Sequence, residues 1–153
     1  MNVYITYDRY EHDEWYYIHH IETNKQRAIK HFKEVDLPDF IAYGPDDCHS
    51  SQLQKVYMTK EQYNELLEVY EHGSEADIKE FMLPIYDEDE EFEVETLFFT
   101  DGCSDNFELI EFYCQSVGIE ADDDDAIHEA QQKLFNDEEL YSKILKEYIA
   151  MYY

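Results

Sequence analysis

The chain has 153 residues, of which 38 are acidic and 11 are Lys or Arg, so its formal net charge at pH 7 is −27. The hydrophobic content of 44% is that of a globular domain, which excludes a disordered acidic tail. The negative charge also argues against direct binding of DNA or RNA, because a nucleic acid needs Lys and Arg against its phosphates.

The first elements in chain order are two predicted strands. Residues 3–7 alternate β-branched and aromatic side chains with the period of two that is typical of a strand. Residues 15–22 have the same composition and predict a second strand. The polar residues between them, 8–14, are too many for a two-residue hairpin turn, so we expect an exposed loop there.

A helix is predicted to follow the second strand directly. Thr23 and Gln26 have the spacing of a capping box, and apolar residues recur at helical spacing as far as Val35. Pro38 is expected to end this helix. Because the apolar face of the helix needs a partner, we predict that it packs across a hairpin formed by the two strands.

Residues 4–7, residues 21–28 and Phe32 resemble a small strand–strand–helix unit of short phage-encoded proteins of unknown function. The resemblance covers about the first 35 residues. It implies an origin in a virus or mobile element, and it brings neither an activity nor a catalytic residue.

The rest of the chain predicts two more strands and four or five more helices. A turn is predicted at residues 43–49, followed by a strand at Leu53–Met58. A helix capped by Thr59 is predicted to end at Gly73, and a second helix to cover Ala76–Leu83 before Pro84. The remaining elements are a strand at Phe92–Phe99, a helix from Ser104 or Asp105 to Gly118, a helix after Asp122–Asp125, and a last helix capped by Asn136.

These elements predict an α+β protein, with a small antiparallel sheet seeded by the N-terminal β-hairpin and five or six helices packed around it. We expect one domain over residues 1–153, made of a strand–strand–helix seed at 1–36 and an acidic portion at 61–153.

The negative charge is unevenly distributed. Residues 1–60 contain 7 basic and 10 acidic side chains, whereas residues 61–153 contain 4 basic and 28 acidic side chains. A portion this acidic repels itself on folding, so we expect a functional reason for the negative field.

Metal and cofactor sites are not predicted. Residues 46–49 combine two Asp, one Cys and one His, and His19, His20 and His31 occur elsewhere, but no zinc spacing such as CxxC or HxxxH is present. Asp122–Asp125 and Asp101–Asp105 lack the alternating ligands of a calcium loop. We expect three reduced thiols rather than a disulfide, since the Cys number is odd and the spacing irregular.

Enzymatic motifs are missing from the sequence as well. It contains no GxxxxGK, GxGxxG or GxSxG pattern, so nucleotide binding and nucleophile-elbow chemistry have no support. A small hydrolase that uses carboxylates in no recognisable pattern is the least favoured hypothesis.

The favoured hypothesis is a non-enzymatic phage or mobile-element protein that inhibits a host nucleic-acid-binding defence factor, of CRISPR or restriction type, by nucleic-acid mimicry. Rows of carboxylates resemble a phosphate backbone and are attracted to a basic groove. The expected partner-binding residues are the acidic residues of three clusters, 87–95, 101–111 and 120–125: Asp87, Glu88, Asp89, Glu90, Glu91, Glu93, Glu95, Asp101, Asp105, Glu108, Glu111, Glu120, Asp122, Asp123, Asp124 and Asp125.

The alternative hypothesis is an acidic scaffold or regulator that binds a protein through patches of its 15 Tyr residues, without mimicry. For both hypotheses we expect no membrane segment and no signal peptide, and therefore a cytoplasmic location, that of the host cell if the protein is viral.

Overall fold

A computed structural model describes residues 1–10, 15–43 and 49–153, and, within them, all side chains except those of residues 43 and 102–104. Most of the predicted 8–14 loop, most of the 43–49 turn with Cys48, and the side chain of Cys103 are therefore outside the described part. The strands are β1 (Asn2–Tyr10), β2 (Trp15–Glu22), β3 (His49–Tyr57) and β4 (Glu93–Asp101). The helices are α1 (Lys25–His31), a π-helical turn (Phe32–Asp36), α2 (Leu37–Tyr43), α3 (Lys60–His72), α4 (Glu75–Tyr86), α5 (Gly102–Ser116), α6 (Asp124–Asn136) and α7 (Glu138–Tyr152).

The four strands form one antiparallel sheet in the order β2-β1-β3-β4. β1 and β3 are central, and β2 and β4 are the edges. The predicted hairpin is confirmed, because β1 and β2 pair from Tyr4 opposite Glu22 to Tyr10 opposite Trp15, with a bulge after Thr6.

Helices cover both faces of the sheet, which explains why six consecutive residues of β1 are buried. On one face, Val3 and Ile5 pack with Leu66 of α3 and Met82 of α4. On the other face, Tyr4 belongs to the core formed by α1, α2, α5, α6 and α7. The fold is therefore α+β with six helical segments in the described part, if the helix over residues 25–43 is counted once.

The first helix does not end at Pro38, contrary to the prediction. Its backbone widens into the π-helical turn, in which the N–H of Leu37 bonds to the carbonyl of Phe32, and α2 then continues through Pro38 to Tyr43. A π turn makes room for a proline ring that an α-helical register would exclude. The turn also directs Asp36 inward, where it is 7% exposed.

β3 begins four residues before the predicted strand. Its first half is polar yet buried, because its side chains bond within the sheet: the amide of Gln52 donates to the carbonyl of Tyr7 at 3.0 Å, and the hydroxyl of Tyr7 donates to Gln54 at 2.6 Å. Gln54 in turn donates to Thr96. A pattern based on apolar alternation misses such a strand.

The helices are capped by residues of the predicted types, but two of the caps lie one residue later than predicted. The Thr59–Gln62 capping box is confirmed. α1 is capped by Asn24 rather than Thr23, and α7 by Asp137 rather than Asn136. In each case a short side chain one residue later accepts the free N–H of the first turn.

Two helix ends depend on glycine for different reasons. Gly118 has a φ of +75° and ends α5 in a Schellman motif, with Ile119 bonded to Cys114. Gly73 ends α3 in extended backbone, where a Cβ atom would lie 2.5 Å from the carbonyl oxygen of Val69. Pro84, in contrast, does not end α4, which runs two residues further to Tyr86.

Within the described residues, no helix is both long and apolar enough to cross a bilayer. Cys114 is buried and has a free thiol.

Candidate functional site

The first predicted acidic cluster occupies the turn between α4 and the edge strand β4. Asp87 to Glu91 are all exposed, and no described cation forms an ion pair with any of them. Glu88 has a φ of 52°, and the carboxylate of Asp89 accepts the N–H of Glu90 at 2.7 Å. The turn thus holds five carboxylates in solvent at defined positions.

Glu93 and Glu95 continue this cluster along β4. Both are exposed. The carboxylate of Glu95 forms an ion pair with the ammonium group of Lys55 at 3.0 Å, and this pair raises the pKa of Lys55. Edge strands often carry exposed charges, because charge blocks pairing with another sheet. Glu93 and Glu95 therefore have a structural use in addition to any role in binding.

Glu91 also borders a groove of about 440 Å³ that is lined by residues of α3 and α4. The carboxylates of Glu65, Asp77 and Glu80 line the same groove, together with the ring of Phe92, and no Lys or Arg is among its described lining residues. The groove offers a strongly negative, partly apolar recess next to the first cluster.

The second predicted cluster is divided by burial. Glu108 and Glu111 of α5 are exposed and Asp101 is half-buried. Asp105, however, is 3% exposed, so its placement on the acidic surface is wrong. Its carboxylate accepts hydroxyl hydrogen bonds from Tyr148 at 2.6 Å and from Tyr153 at 2.7 Å.

Burial raises the pKa of Asp105, although the two tyrosine hydroxyls act in the opposite direction. The pKa values of Tyr148 and Tyr153 are raised too, by burial first and then by the bonds to the carboxylate. The Tyr148 hydroxyl, which has one hydrogen to donate, also lies 2.8 Å from a carboxylate oxygen of Glu108. The group ties α5 to α7, which makes it a structural cluster.

The third predicted cluster lies at the start of α6. Glu120 and Asp122 to Asp125 are all exposed, and no described cation pairs with them. The carboxylate of Asp123 caps the helix by accepting the N–H of Ala126 at 3.1 Å. Asp124 and Asp125 occupy the first turn, where the helix dipole favours negative charge.

The clusters do not form one compact patch. Within β4, Glu95 of the first cluster and Asp101 of the second are six residue steps apart, which at about 3.3 Å a step span about 20 Å. The negative charge is therefore spread over an extended surface.

A group that the sequence analysis missed lies where β1, β2 and β3 meet the π-helical turn and α2. Asp8 belongs to β1 rather than to the predicted loop, and it is buried. Its Oδ2 lies 2.7 Å from Nε2 of His19 and 3.3 Å from Nε2 of His49. His31 and Asp36 form another contact between an imidazole and a carboxylate nearby, in which Nδ1 of His31 lies 2.8 Å from Oδ2 of Asp36.

The charges of this group act on one another. Burial alone lowers the pKa of His19, but the hydrogen bond to Asp8 and the charges of Asp8, Asp36 and Asp39 outweigh it, so the pKa lies above its ordinary value. Burial raises the pKa of Asp36. No group of three or more His, Cys, Asp or Glu in the described ranges is arranged to hold a metal ion.

The sequence could have shown that Asp8 belongs to β1, because the alternation of residues typical of a strand continues beyond Tyr7. Tyr4, Thr6, Asp8 and Tyr10 keep the period of two, so the strand pattern continues past Tyr7. His19 and His49 are brought to Asp8 by sheet pairing, which the sequence does not reveal.

Comparison of the chain with models of protein families, with curated proteins and with solved structures found no match.

Proposed function

We propose that this protein is a non-enzymatic inhibitor that binds the basic groove of a nucleic-acid-binding protein through its acidic surface. The observation that supports the proposal best is the exposure of nine carboxylates, in Asp87–Glu91 and Asp122–Asp125, with no ion pair to a described cation. Uncompensated charge destabilises a folded chain through self-repulsion, and a basic partner removes that penalty on binding.

The arrangement of the charge suits a long groove better than a small pocket. The first two clusters lie towards opposite ends of β4, and about 20 Å along this strand corresponds to roughly a dozen charges of a duplex, which carries one charge per about 1.7 Å of axis. The recess next to Glu91 can accept a Lys or Arg side chain of the partner. A field of this size also speeds association by electrostatic steering.

The proposed class of partner rests on the resemblance of residues 4–7, residues 21–28 and Phe32 to phage-encoded strand–strand–helix units. A phage or mobile element benefits from blocking a host defence nuclease, so the proposed target is a CRISPR or restriction enzyme in the host cytoplasm. The target's own basic groove supplies the complementary charge.

A second candidate function is an acidic scaffold that docks through aromatic residues. The observation in its favour is a set of large aromatic side chains that are 42–63% exposed: Tyr57, Tyr70, Phe99, Phe107 and Tyr152. Apolar docking of this kind depends little on salt, whereas mimicry depends on it strongly.

Two charge-neutralised variants test the proposal. One changes Asp122 to Asp125 to Asn, and the other changes Glu88, Glu90 and Glu91 to Gln and Asp89 to Asn. The control changes four exposed glutamates that lie outside the clusters and the groove to Gln: Glu61, Glu68, Glu71 and Glu75.

Each protein is immobilised and offered a purified basic nuclease, or a bacterial lysate, at about 0.05 M and about 0.5 M NaCl. We expect the parent and the control to retain the partner at low salt and to release it at high salt, and the two cluster variants to retain less. A combined variant that is folded and still binds and inhibits as the parent does would rule out mimicry.

A further inference from the structure

A cavity of about 260 Å³ opens next to the Asp8 group, where the strands β1, β2 and β3 meet the π-helical turn and α2. It is smaller than the pockets that hold drug-sized molecules, which measure about 300–1,000 Å³. Its position is distinct from that of the acidic clusters, none of whose residues line it.

Aromatic side chains form much of the wall of this cavity. They are Tyr10, Trp15, Tyr17 and Phe40. The rings of Tyr10 and Trp15 stack at 4.9 Å, and the ring of Tyr17 meets Trp15 edge-on at 6.1 Å. Aromatic faces attract cations that lie within about 6 Å of the ring centre.

Three carboxylates line the same cavity: Asp8, Asp36 and Asp39. No Lys or Arg is among the described lining residues, so the described groups that face the carboxylates are imidazoles: His19 and His49 at Asp8, and His31 at Asp36. Three carboxylates line the cavity against these three imidazoles, so the cavity is negative whenever the imidazoles are neutral. The raised pKa of His19 is consistent with this negative field.

Asp8 has an unused acceptor. It is 6% exposed, its Oδ2 is shared by two histidines, and its Oδ1 has no hydrogen-bond partner among the described residues. The other buried side-chain oxygens of the described part that have no partner are those of Thr6 and Ser51. Thr6 is two residues before Asp8 and Ser51 pairs with Asp8 across the sheet, so all three oxygens lie on the same face.

The hydroxyls of Thr6 and Ser51 do not line the cavity, whereas Asp8 does. Buried oxygens without partners are uncommon in native proteins, so Oδ1 of Asp8 indicates a site that is completed by a hydrogen-bond donor. A donor that also suits aromatic walls and three carboxylates is a small organic cation with N–H groups. We infer that this cavity binds an alkylammonium or alkylguanidinium group, either of a free amine or of a Lys or Arg side chain.

Trp15 gives a direct readout, because it is the only tryptophan of the chain and it lines the cavity. The experiment titrates the protein with n-butylammonium chloride and with n-butylguanidinium chloride while tryptophan emission is recorded. 1-Butanol is the neutral probe of the same chain length, and NaCl at equal concentration controls for ionic strength. We expect a saturable change in emission with the two cations and none with 1-butanol or NaCl.

Two variants locate the binding. Asp8→Asn removes the charge of the buried carboxylate and should weaken binding of both cations by at least about tenfold. Tyr17→Ala removes part of the wall at a residue that is 50% exposed, so the fold tolerates it, and it should weaken binding about threefold. The control is Glu34→Gln, an exposed acidic residue of the π-helical turn that does not line the cavity, and its affinity should match that of the parent.

N-acetyl-lysine-N-methylamide shows whether the cavity takes the cationic group of a protein side chain or that of a free amine. If this compound binds as n-butylammonium does, the cavity accepts a protein side chain, and if only n-butylammonium binds, it takes free amines. The inference is overturned if neither cation changes the emission saturably, if 1-butanol acts equally, or if a folded Asp8→Asn protein binds as the parent does. Should Asp8→Asn not fold, an unchanged affinity of Tyr17→Ala would overturn it.

Discussion

Two buried carboxylates of this protein, those of Asp105 and Asp8, contact side chains from distant parts of the chain. Asp105 accepts hydrogen bonds from Tyr148 and Tyr153, more than forty residues later. Asp8 is in contact with His19 and His49. Neither group was predicted from the sequence, because the spacing of the partners matches no motif and only the packed fold brings them together.

The Asp105 group predicts the effect of a single hydroxyl. Tyr148→Phe leaves a buried carboxylate with one donor fewer, so the free energy of unfolding should fall by about 2–3 kcal/mol. The matched control is Tyr141→Phe on the same helix, whose hydroxyl has no hydrogen bond to a described residue and whose loss should change stability by less than about 0.5 kcal/mol. Urea denaturation of the three proteins measures both values, and equal effects would show that the bond to Asp105 does not stabilise the fold.

Elements with local signals were predicted well. The alternation of residues 3–7 and 15–22 and the capping box at Thr59 depend on neighbours in sequence, and the structure confirms them. The polar half of β3 and the helix beyond Pro38 were not predicted, since each is stabilised by tertiary contacts that override the local pattern. The distribution of helices between the two faces of the sheet is likewise a property of the whole fold.

The packing of the first helical segment on the sheet can be measured through Phe32. Its side chain is fully buried and stacks on Phe98 of β4 at a ring distance of 5.3 Å. Phe32→Ala should lower the free energy of unfolding by about 3–5 kcal/mol, because it removes apolar contacts and leaves a cavity. Val35→Ala in the same segment, where the side chain is 44% exposed, is the control and should cost less than about 1 kcal/mol. A loss for Phe32→Ala no larger than that of the control would contradict this packing.

The whole molecule carries a net charge of −27, which affects its stability through self-repulsion. His19, Asp36 and Asp105 have pKa values above their ordinary values of 6.5 and 3.8. A group with a raised pKa binds its proton more tightly in the folded state, so its contribution to stability is full below the ordinary pKa and is lost as the pH rises through the folded value. His20 and Glu22 have lowered pKa values and oppose this trend.

We therefore expect the free energy of unfolding to fall as the pH rises from about 4 to about 8, and to recover with added salt at the upper end. The variant with Asp122–Asp125 changed to Asn should be as stable as the parent at pH 8 or more so, apart from a few tenths to about 1 kcal/mol lost because negative charge favours the start of α6. Its stability should also depend less on salt. Denaturation at several pH values and two salt concentrations measures this, and a parent that is most stable at pH 8 in low salt would contradict it.

The most direct test of mimicry is competition with DNA for the same partner. A complex of this protein with its purified basic partner is challenged with duplex DNA of about 30 base pairs, and in parallel with NaCl of the same ionic strength. The account predicts that DNA displaces the protein at concentrations at which NaCl does not, with one protein released for each DNA bound and no ternary complex. A stable ternary complex, in which the partner holds DNA and this protein together, would contradict it.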